Sequence, residues 1–230
     1  MWLCLFVLCQ EVPSAETLLQ RSIEYHDPRG LFTTRPVELT FHDEMTDGSQ
    51  RRAHANIDVK AQSFRMTRQT DVEIGVVVNP DACYMTLNGT QQVTQEMRDR
   101  YRLSCERAMM VRNYITYLWG LPMKLRDPGT ILEAPFLDDF EGQQVYAMRV
   151  TYAPDVGGDI WYFYFRTSNC ALVGYRFYHD ETKGDGEVIV LSGEVLGDGL
   201  RLPAERAWYT HQGNEWLGTD RLKSIKVSSH

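Results

Sequence analysis

Alternation of apolar and polar residues is the feature that most restricts the fold of this chain. Val37, Leu39 and Phe41 alternate with polar neighbours, and Asp47-Gly48 is a dipeptide typical of tight turns between strands. The alternation then returns at Ala53, Ala55, Ile57 and Val59. Because successive side chains of a strand point to opposite faces, this period of two predicts a β-hairpin with one buried face.

The period of two continues through most of the chain. Further strands are predicted at residues 63 to 71, 73 to 79, 82 to 87, 143 to 152, 160 to 167, 172 to 179, 187 to 196, 200 to 211 and 215 to 222. In the segment IWYFYFR, which begins at residue 160, both faces carry large apolar side chains, so both faces of the sheet must be at least partly covered. The predicted fold class is mainly β (α+β), with a large curved antiparallel sheet that forms an open half-barrel.

Two segments depart from this period. Residues 15 to 26 place apolar side chains at helical spacing and stop before Asp27-Pro28, which predicts an N-terminal helix. Residues 92 to 120 form an insertion in which Ser104 is a suitable N-cap, and no clear turn residue follows until Gly120. We predict two helices, or one kinked helix, that close the concave side of the sheet.

The distribution of charge does not fit a nucleic-acid-binding surface. The 230 residues carry a net charge of −7, and the 19 arginines lie among acidic residues instead of forming a patch. The lack of a polybasic run also argues against electrostatic capture by an anionic membrane. An apolar contact with lipid is compatible with this composition.

The N-terminus has the outline of a secretory signal peptide. An apolar run from Trp2 to Cys9, too short to span a membrane, precedes Val12-Pro13-Ser14. We therefore predict a signal peptide at residues 1–14 and a single β domain at residues 15–230, in the periplasm or otherwise exported. No Lys or Arg precedes the run, which leaves open a truncated start or a buried N-terminal segment. Lipid attachment at Cys9 is less favoured, because Leu8 is bulkier than the residue usual before a lipidated cysteine.

Three cysteines, Cys83, Cys105 and Cys170, follow the predicted signal peptide. Neither a C-x-x-C pair nor a zinc-type spacing with histidine is present, so we predict no metal site and no cofactor. In an oxidising compartment, a disulfide between Cys83 and Cys105 would close a modest loop. We predict this bridge with Cys170 free, and three buried thiols are the alternative.

The candidate ligand-binding residues are methionines and aromatic residues. The predicted helix from about 104 to 119 has an apolar arc wider than a surface helix needs. Thioethers and aromatic rings can line an adaptable apolar pocket, although the same residues also suit an ordinary core. The predicted contacts are Met66, Met85, Met110, Tyr114, Trp119, Met123, Trp161 and Phe163. Arg112 would meet a ligand headgroup if this helix closes a cavity, and simple solvent exposure is its alternative role.

The best candidate for acid-base or metal chemistry is His179-Asp180-Glu181, which is followed by Asp185 and Glu187. The acidic turn could hold a hard cation, but its spacing matches no EF-hand loop, and turns are often acidic and solvated. The same interpretation applies to His42-Asp43-Glu44. His26 is expected to interact with the dipole at the C-terminus of the first helix.

Four segments carry a resemblance to a known family. AETLLQRSIEYHDPRG, RNYITYLWGLPMKLRDPGT, DIWYFYFRTSNCALVGYRFYHDETKGDGE and AWYTHQGNEWLGTD are similar to segments of an uncharacterised exported bacterial family. That family resembles the lipoprotein-carrier (LolA/LolB-like) superfamily. The resemblance runs from about residue 15 to the C-terminus. It implies an open, strongly curved antiparallel sheet whose concave side is closed by helices and receives acyl chains, and it supplies no catalytic residue.

Three functional hypotheses follow. The first is an exported binding or carrier protein for an apolar small molecule or acyl chain, either a lipid or a lipidated peptide, with an envelope lipoprotein as a candidate partner. It would bind no nucleic acid and would not span the membrane. The second is a hydrolase or metal-dependent enzyme that uses the His179 region. The third is a structural envelope-interaction module with a solid core, which a cavity inside the sheet would distinguish from the first.

We expect the N-terminal apolar run to be removed on export. Intact mass spectrometry of protein purified from the cell envelope should then give a chain that begins near Ala15. A mass that retains residues 1–14 would instead favour a buried N-terminal segment.

Overall fold

A computed structural model describes residues 11–228, which form one large antiparallel sheet and several helices. The helices are α1 (Ala15–His26), α2 (Leu31–Thr34), α3 (Gln95–Tyr101) and α4 (Cys105–Trp119). The strands are β1 (Val37–Met45), β2 (Gln50–Asp58), β3 (Ser63–Gln69), β4 (Glu73–Asn79), β5 (Ala82–Leu87), β6 (Thr130–Leu132), β7 (Phe136–Phe140), β8 (Gln143–Tyr152), β9 (Ile160–Arg166), β10 (Leu172–Tyr178), β11 (Glu187–Gly197), β12 (Leu200–Thr210) and β13 (Trp216–Val227).

The sheet is curved and open, as predicted, and is not closed into a barrel. Its strand order is β5-β4-β3-β2-β1-β13-β12-β11-β10-β9-β8-β6, and β7 pairs with the remaining part of β8. Each strand up to β5 pairs with its neighbour in sequence, and so does each strand from β8 to β13. Pairing of β13 with β1 joins these two halves.

The strands and helices that the sequence predicts are present, with small differences at their ends. The predicted strand at 215 to 222 continues to Val227, and its pairing with β1 shifts register between Thr40 and Phe41. The short edge strands β6 and β7 were not predicted. Most residues of β6 and β7 are exposed or only half-buried. These strands therefore lack the alternation of apolar and polar residues that identifies a strand with one buried face.

The insertion between β5 and β6 contains two helices, α3 and α4, and not one kinked helix. Arg102 ends α3 in a left-handed conformation, with φ 55°. The Ser104 hydroxyl then accepts a hydrogen bond of 3.1 Å from the Arg107 backbone N–H, which confirms Ser104 as the N-cap of α4.

Two apolar clusters fill the concave side of the sheet, and α4 contributes to both. Ala108, Ile115 and Trp119 pack in the first cluster, with side chains from β1 to β5. Leu118 packs in the second cluster, with α1 and strands β8 to β12. The helix therefore lies across the concave side, as predicted, and covers the junction of the two halves.

The opposite face of the sheet is also covered at β9. The ring of Phe140 stacks on that of Tyr164, with a centroid separation of 4.2 Å. Gly174 makes this contact possible, because a Cβ atom there would collide with the Phe140 ring. Phe163 and Tyr164, which lie on opposite faces of β9, are consequently both buried. This confirms that both faces of the IWYFYFR segment are covered.

The predicted disulfide between Cys83 and Cys105 is present, with a Cα separation of 5.2 Å. Cys170 is free and buried, also as predicted. The bridge ties the first residue of α4 to β5, the strand at one edge of the sheet. One end of the helix that crosses the concave side is therefore covalently attached to the sheet.

The expected role of His26 at the dipole of α1 is wrong. Its ring is buried, with Nδ1 2.7 Å from the Arg201 carbonyl oxygen, and its Nε2 accepts a hydrogen bond of 3.0 Å from the Leu172 N–H. Burial lowers the pKa of this imidazole. His26 therefore acts as a neutral bridge from α1 to β10 and β12, and not as a cation at a helix end.

Residues next to the predicted signal-peptide boundary pack against the domain. Val12 contacts the second apolar cluster, and the Ser14 hydroxyl accepts a hydrogen bond of 3.2 Å from the Thr17 N–H at the start of α1. Most of the predicted signal peptide, residues 1–10, lies outside the described residues. The boundary after residue 14 stays a prediction, and cleavage there would remove a helix cap that typically contributes about 1 kcal/mol.

In the part of the chain that the structure describes, no helix combines the length and apolar character needed to cross a bilayer.

Loss of the disulfide should destabilise the fold. The Cys83→Ser/Cys105→Ser variant frees a loop with a sequence separation of 22 residues. The free energy of unfolding should fall by about 3 kcal/mol, because the unfolded chain regains the entropy that the bridge removes. Urea denaturation measures this change. Dithiothreitol should lower the urea midpoint of the wild type and of a Cys170→Ser control. If dithiothreitol lowered the midpoint of the double variant equally, the assignment of the disulfide to Cys83 and Cys105 would be wrong.

Candidate ligand-binding site

Two cavities flank α4 on the concave side of the sheet. The first, of about 390 Å³, lies between α4, strands β1 to β3 and strands β11 to β13. The second, of about 640 Å³, lies between the other side of α4, strands β2, β3, β8 and β9, and the loop that follows β8. Both volumes are in the range of small-molecule binding sites.

Tyr114, near the middle of α4, lines both cavities. Its side chain and that of Met110 are 53% and 54% exposed, unlike the buried face of the same helix. The Tyr114 ring stacks on Trp208 across the first cavity, at a centroid separation of 6.2 Å. The helix thus presents apolar groups to solvent inside a concave site, where a ligand could cover them.

The structure distributes the predicted contact residues between the two cavities and the core. Met110 and Trp119 line the first cavity, whereas Arg112 and Trp161 line the second. The remaining four predicted residues are buried in the apolar clusters and line neither cavity, namely Met66, Met85, Met123 and Phe163. Ligand contact by any member of the set stays a prediction.

Aromatic, aliphatic and polar side chains all line the second cavity. Tyr117 and Tyr152 share a hydrogen bond between their hydroxyls, and Tyr117 packs edge-on against Trp161 at 5.7 Å. The Arg112 guanidinium donates to the side-chain oxygen of its neighbour Asn113, at 2.9 and 3.0 Å. Arg112 is therefore placed beside a cavity, but it has a local acceptor.

A row of charged side chains crosses the floor of the first cavity. Arg51, Asp43, Asp220 and Arg206 are direct cross-strand partners on β2, β1, β13 and β12, and all four line the cavity. We call these four residues the charged row. Sequence reasoning missed it, although Asp43 occupies the inward position that follows Val37, Leu39 and Phe41. A charge at an inward position of a strand was the available signal.

Arg206 is the most buried member of the charged row, with a side chain only 3% exposed. Its Nη2 donates a 2.8 Å hydrogen bond to the Leu118 carbonyl at the end of α4, and its guanidinium lies 4.1 Å from the ring centroid of Trp119. Nη1 forms an ion pair with Asp220 at 3.9 Å, and both Nε and Nη1 are buried without a hydrogen-bond partner in the described residues. Unsatisfied guanidinium donors in a buried position are costly, so this site has unused capacity for an acceptor.

Asp43 and Asp220 place two carboxyl groups opposite each other in the charged row. Burial, reinforced by the charge of Asp220, raises the pKa of Asp43 to about 6. Asp43 pairs with Arg68 at 3.5 Å, whereas Asp220 accepts a 3.0 Å hydrogen bond from the indole N–H of Trp208. The two carboxyl groups thus have different partners within one cavity.

The acidic turn after β10 uses its carboxylates for local structure. Asp185 accepts hydrogen bonds from the backbone N–H groups of His179 and Asp180, at 2.9 and 2.8 Å. Glu181 accepts from the Tyr162 hydroxyl and pairs with Arg149. Within residues 11–228, no group of three or more His, Cys, Asp or Glu side chains is arranged to hold a metal ion.

His179 itself is an exposed residue beside Asp159. The two side chains are 2.7 Å apart, and this hydrogen bond raises the pKa of His179. Asp159 lines the second cavity, so His179 lies near its rim. The arrangement is an ion pair at the surface, worth little to stability.

The profile of the family of unknown function DUF6503 matches residues 1–224. The chain belongs to this family. No curated protein matches its sequence.

Solved structures with a similar fold extend the comparison beyond DUF6503. A LolA superfamily protein from Nitrosomonas europaea is 10% identical, with a TM-score of 0.55 over 95% of each chain. A putative outer membrane lipoprotein-sorting protein domain from Vibrio parahaemolyticus is 12% identical, with a TM-score of 0.54 over 94% of each chain. A DUF1329 family protein from Desulfovibrio piger is 7% identical, with a TM-score of 0.54 over 94% of this chain and 93% of that one. At these identities the likeness shows the fold, and it confirms the resemblance to the lipoprotein-carrier superfamily at that level.

The raised pKa of Asp43 should make stability depend on pH. The folded state holds this proton more tightly than the unfolded state, whose carboxyl has its ordinary pKa of 3.8. Asp43 therefore contributes fully to the free energy of unfolding below about pH 4, and this contribution is lost as the pH rises through about 6. A shift of two pKa units corresponds to a loss of up to about 3 kcal/mol.

Urea denaturation of Asp43→Asn at several pH values tests this expectation. The variant should lose less stability than the wild type between pH 4 and pH 7. Glu38→Gln, on the outer face of the same strand, serves as the control and should keep the wild-type dependence. Identical pH profiles for the wild type and Asp43→Asn would contradict the assignment.

Proposed function

We propose that this chain is an exported binding or carrier protein for an apolar ligand, a lipid or a lipidated peptide, in the cell envelope. The observation that carries the proposal is the pair of cavities beside α4, with the half-exposed side chains of Met110 and Tyr114 between the helix and solvent. Covering a large apolar side chain completely contributes roughly 1.5 to 3 kcal/mol. A ligand that covers both residues would gain binding energy from them.

The cavities favour this proposal over a structural module with a solid core. A helix that only sealed a core would bury its apolar side chains on the sheet, as Ala108, Ile115 and Leu118 do. Met110 and Tyr114 of the same helix are instead half exposed beside the cavities of about 390 and 640 Å³. Binding sites of this size combine apolar walls with polar groups that orient the ligand, and both cavities contain apolar and polar side chains.

An extracytoplasmic location rests on two features of the chain. The disulfide between Cys83 and Cys105 is typical of oxidising compartments, and the N-terminal apolar run has the outline of a signal peptide. The similar Vibrio parahaemolyticus structure is described as a putative outer membrane lipoprotein-sorting protein domain. This likeness of fold supports an acyl chain as ligand and an envelope lipoprotein as candidate partner.

Native mass spectrometry of protein purified from its own envelope tests the proposal directly. We expect a co-purifying lipid or acylated peptide, detected as an added mass that disappears on denaturation. Protein that carries no added mass and binds no apolar probe would support the structural alternative.

Replacement of the exposed apolar residues of α4 should weaken binding without unfolding the protein. We expect Met110→Ser and Tyr114→Ser to lower the affinity for the uncharged fluorescent probe N-phenyl-1-naphthylamine by about tenfold each, since one covered side chain contributes roughly 1.5 kcal/mol or more. Met97→Ser is the matched control, because Met97 is 44% exposed on α3 and lines neither cavity. Equal affinities for all variants would contradict a site at α4.

Trp119→Ala should behave differently. Trp119 is 2% exposed and packs against Phe41, at a ring separation of 5.2 Å, as well as against Arg206. Its removal should lower the free energy of unfolding by about 3 to 5 kcal/mol, as other large-to-small core changes do. Thermal denaturation therefore distinguishes this residue from Tyr114, whose replacement should leave stability nearly unchanged.

A further inference from the structure

The first cavity is less acidic than the whole chain, because four arginines and four acidic residues line it. The protein carries a net charge of −7. Four arginines nevertheless line this cavity, and they come from four different elements: β2, β3, α4 and β12. They are Arg51, Arg68, Arg107 and Arg206.

Three of the four carboxyl groups on the same wall already have partners. Asp43 pairs with Arg68, and Glu44 pairs with Arg221, which lies outside the cavity lining. Asp220 accepts the Trp208 indole N–H at 3.0 Å. Their capacity to attract a cationic ligand is therefore largely used.

Glu187 is the remaining acid of the lining. It is half-buried, and burial raises its pKa, as it does that of Asp43. Burial therefore disfavours the charged form of both groups.

The arginines, by contrast, have guanidinium N–H donors that lack acceptors. Within residues 11–228, the half-buried side chains of Arg51 and Arg107 make no hydrogen bond or ion pair. Nη1 of the buried Arg206 forms an ion pair with Asp220 at 3.9 Å, but neither Nε nor Nη1 has a hydrogen-bond partner in the same part of the chain. Guanidinium groups bind carboxylate and phosphate oxygens in a bidentate manner.

We propose that the first cavity binds an amphiphile by its anionic headgroup, a carboxylate or a phosphate, with Arg51 and Arg107 as donors at its half-exposed side and Arg206 at its floor. The inference rests on the proposed function, because it specifies the class of apolar ligand that the site beside α4 accepts. The apolar chain of the amphiphile would lie against Met110, Tyr114 and Leu217, which line the same cavity.

Competition between ligands of one chain length tests the headgroup. Dodecanoate, dodecyl phosphate and dodecan-1-ol each displace N-phenyl-1-naphthylamine from the wild-type protein at pH 7.5 and low salt. At least one of the two anions should bind about tenfold or more tightly than the alcohol, the size expected of one charge-assisted hydrogen bond. The tighter of the two anions identifies the headgroup as carboxylate or phosphate.

Removal of the two half-buried arginines should reduce the preference. In Arg51→Gln/Arg107→Gln, which keeps Arg206, the affinity for the anion should fall by about tenfold or more, and the affinity for the alcohol should not change. Arg52→Gln is the matched control, because Arg52 is the exposed neighbour of Arg51 on the opposite face of β2. It should keep the wild-type preference. Thermal melts verify folding, and single variants replace the double variant if it unfolds.

The outcomes separate this inference from the proposed function. Headgroup recognition is wrong if the probe binds but the wild type does not distinguish anion from alcohol. It is also wrong if the preference for the anion is unchanged in the arginine variants. In both cases the proposed function stands. If neither the probe nor any of the three amphiphiles binds, the proposed function itself fails.

Discussion

The pairing of β1 with β13 is the contact on which the rest of the structure depends. It joins the strands that precede α3 to those that follow α4, and so converts two smaller sheets into one curved surface. The same register places Asp43 opposite Asp220, with Arg51 and Arg206 beside them. Both the concave surface beneath α4 and the charged row across it are products of this one pairing.

The charged row lies between two apolar clusters, where charges are costly unless they are paired. Interactions within the protein offset part of this cost, since Arg206 donates to the Leu118 carbonyl and contacts the face of Trp119. Hydrophobic residues at the same positions would pack without such demands. The charges beneath the helix therefore do not maximise stability, and the headgroup recognition proposed above would account for them.

Local signals explain why much of the fold could be predicted from the sequence. The hairpin turn at Asp47-Gly48 and the cap at Ser104 each involve residues close together in the chain, as does the alternation within a strand. The charged row could not be found in this way, because its four members come from strands whose pairing register depends on the whole sheet. The error at His26 has a similar origin, since its partners Arg201 and Leu172 are distant in sequence.

β13 lies beside β1 in the sheet but far from it in sequence, and this separation also bears on how the protein folds. Glu44 and Arg221, which meet across β1 and β13, are separated by 177 residues. Until β13 arrives, β1 is an unprotected edge strand that can pair with other chains, and contacts of such long range are slow to form. The half of the sheet from β1 to β5 therefore keeps an open edge until β13 has been synthesised and has paired, so folding of this protein depends on protection from aggregation during that interval.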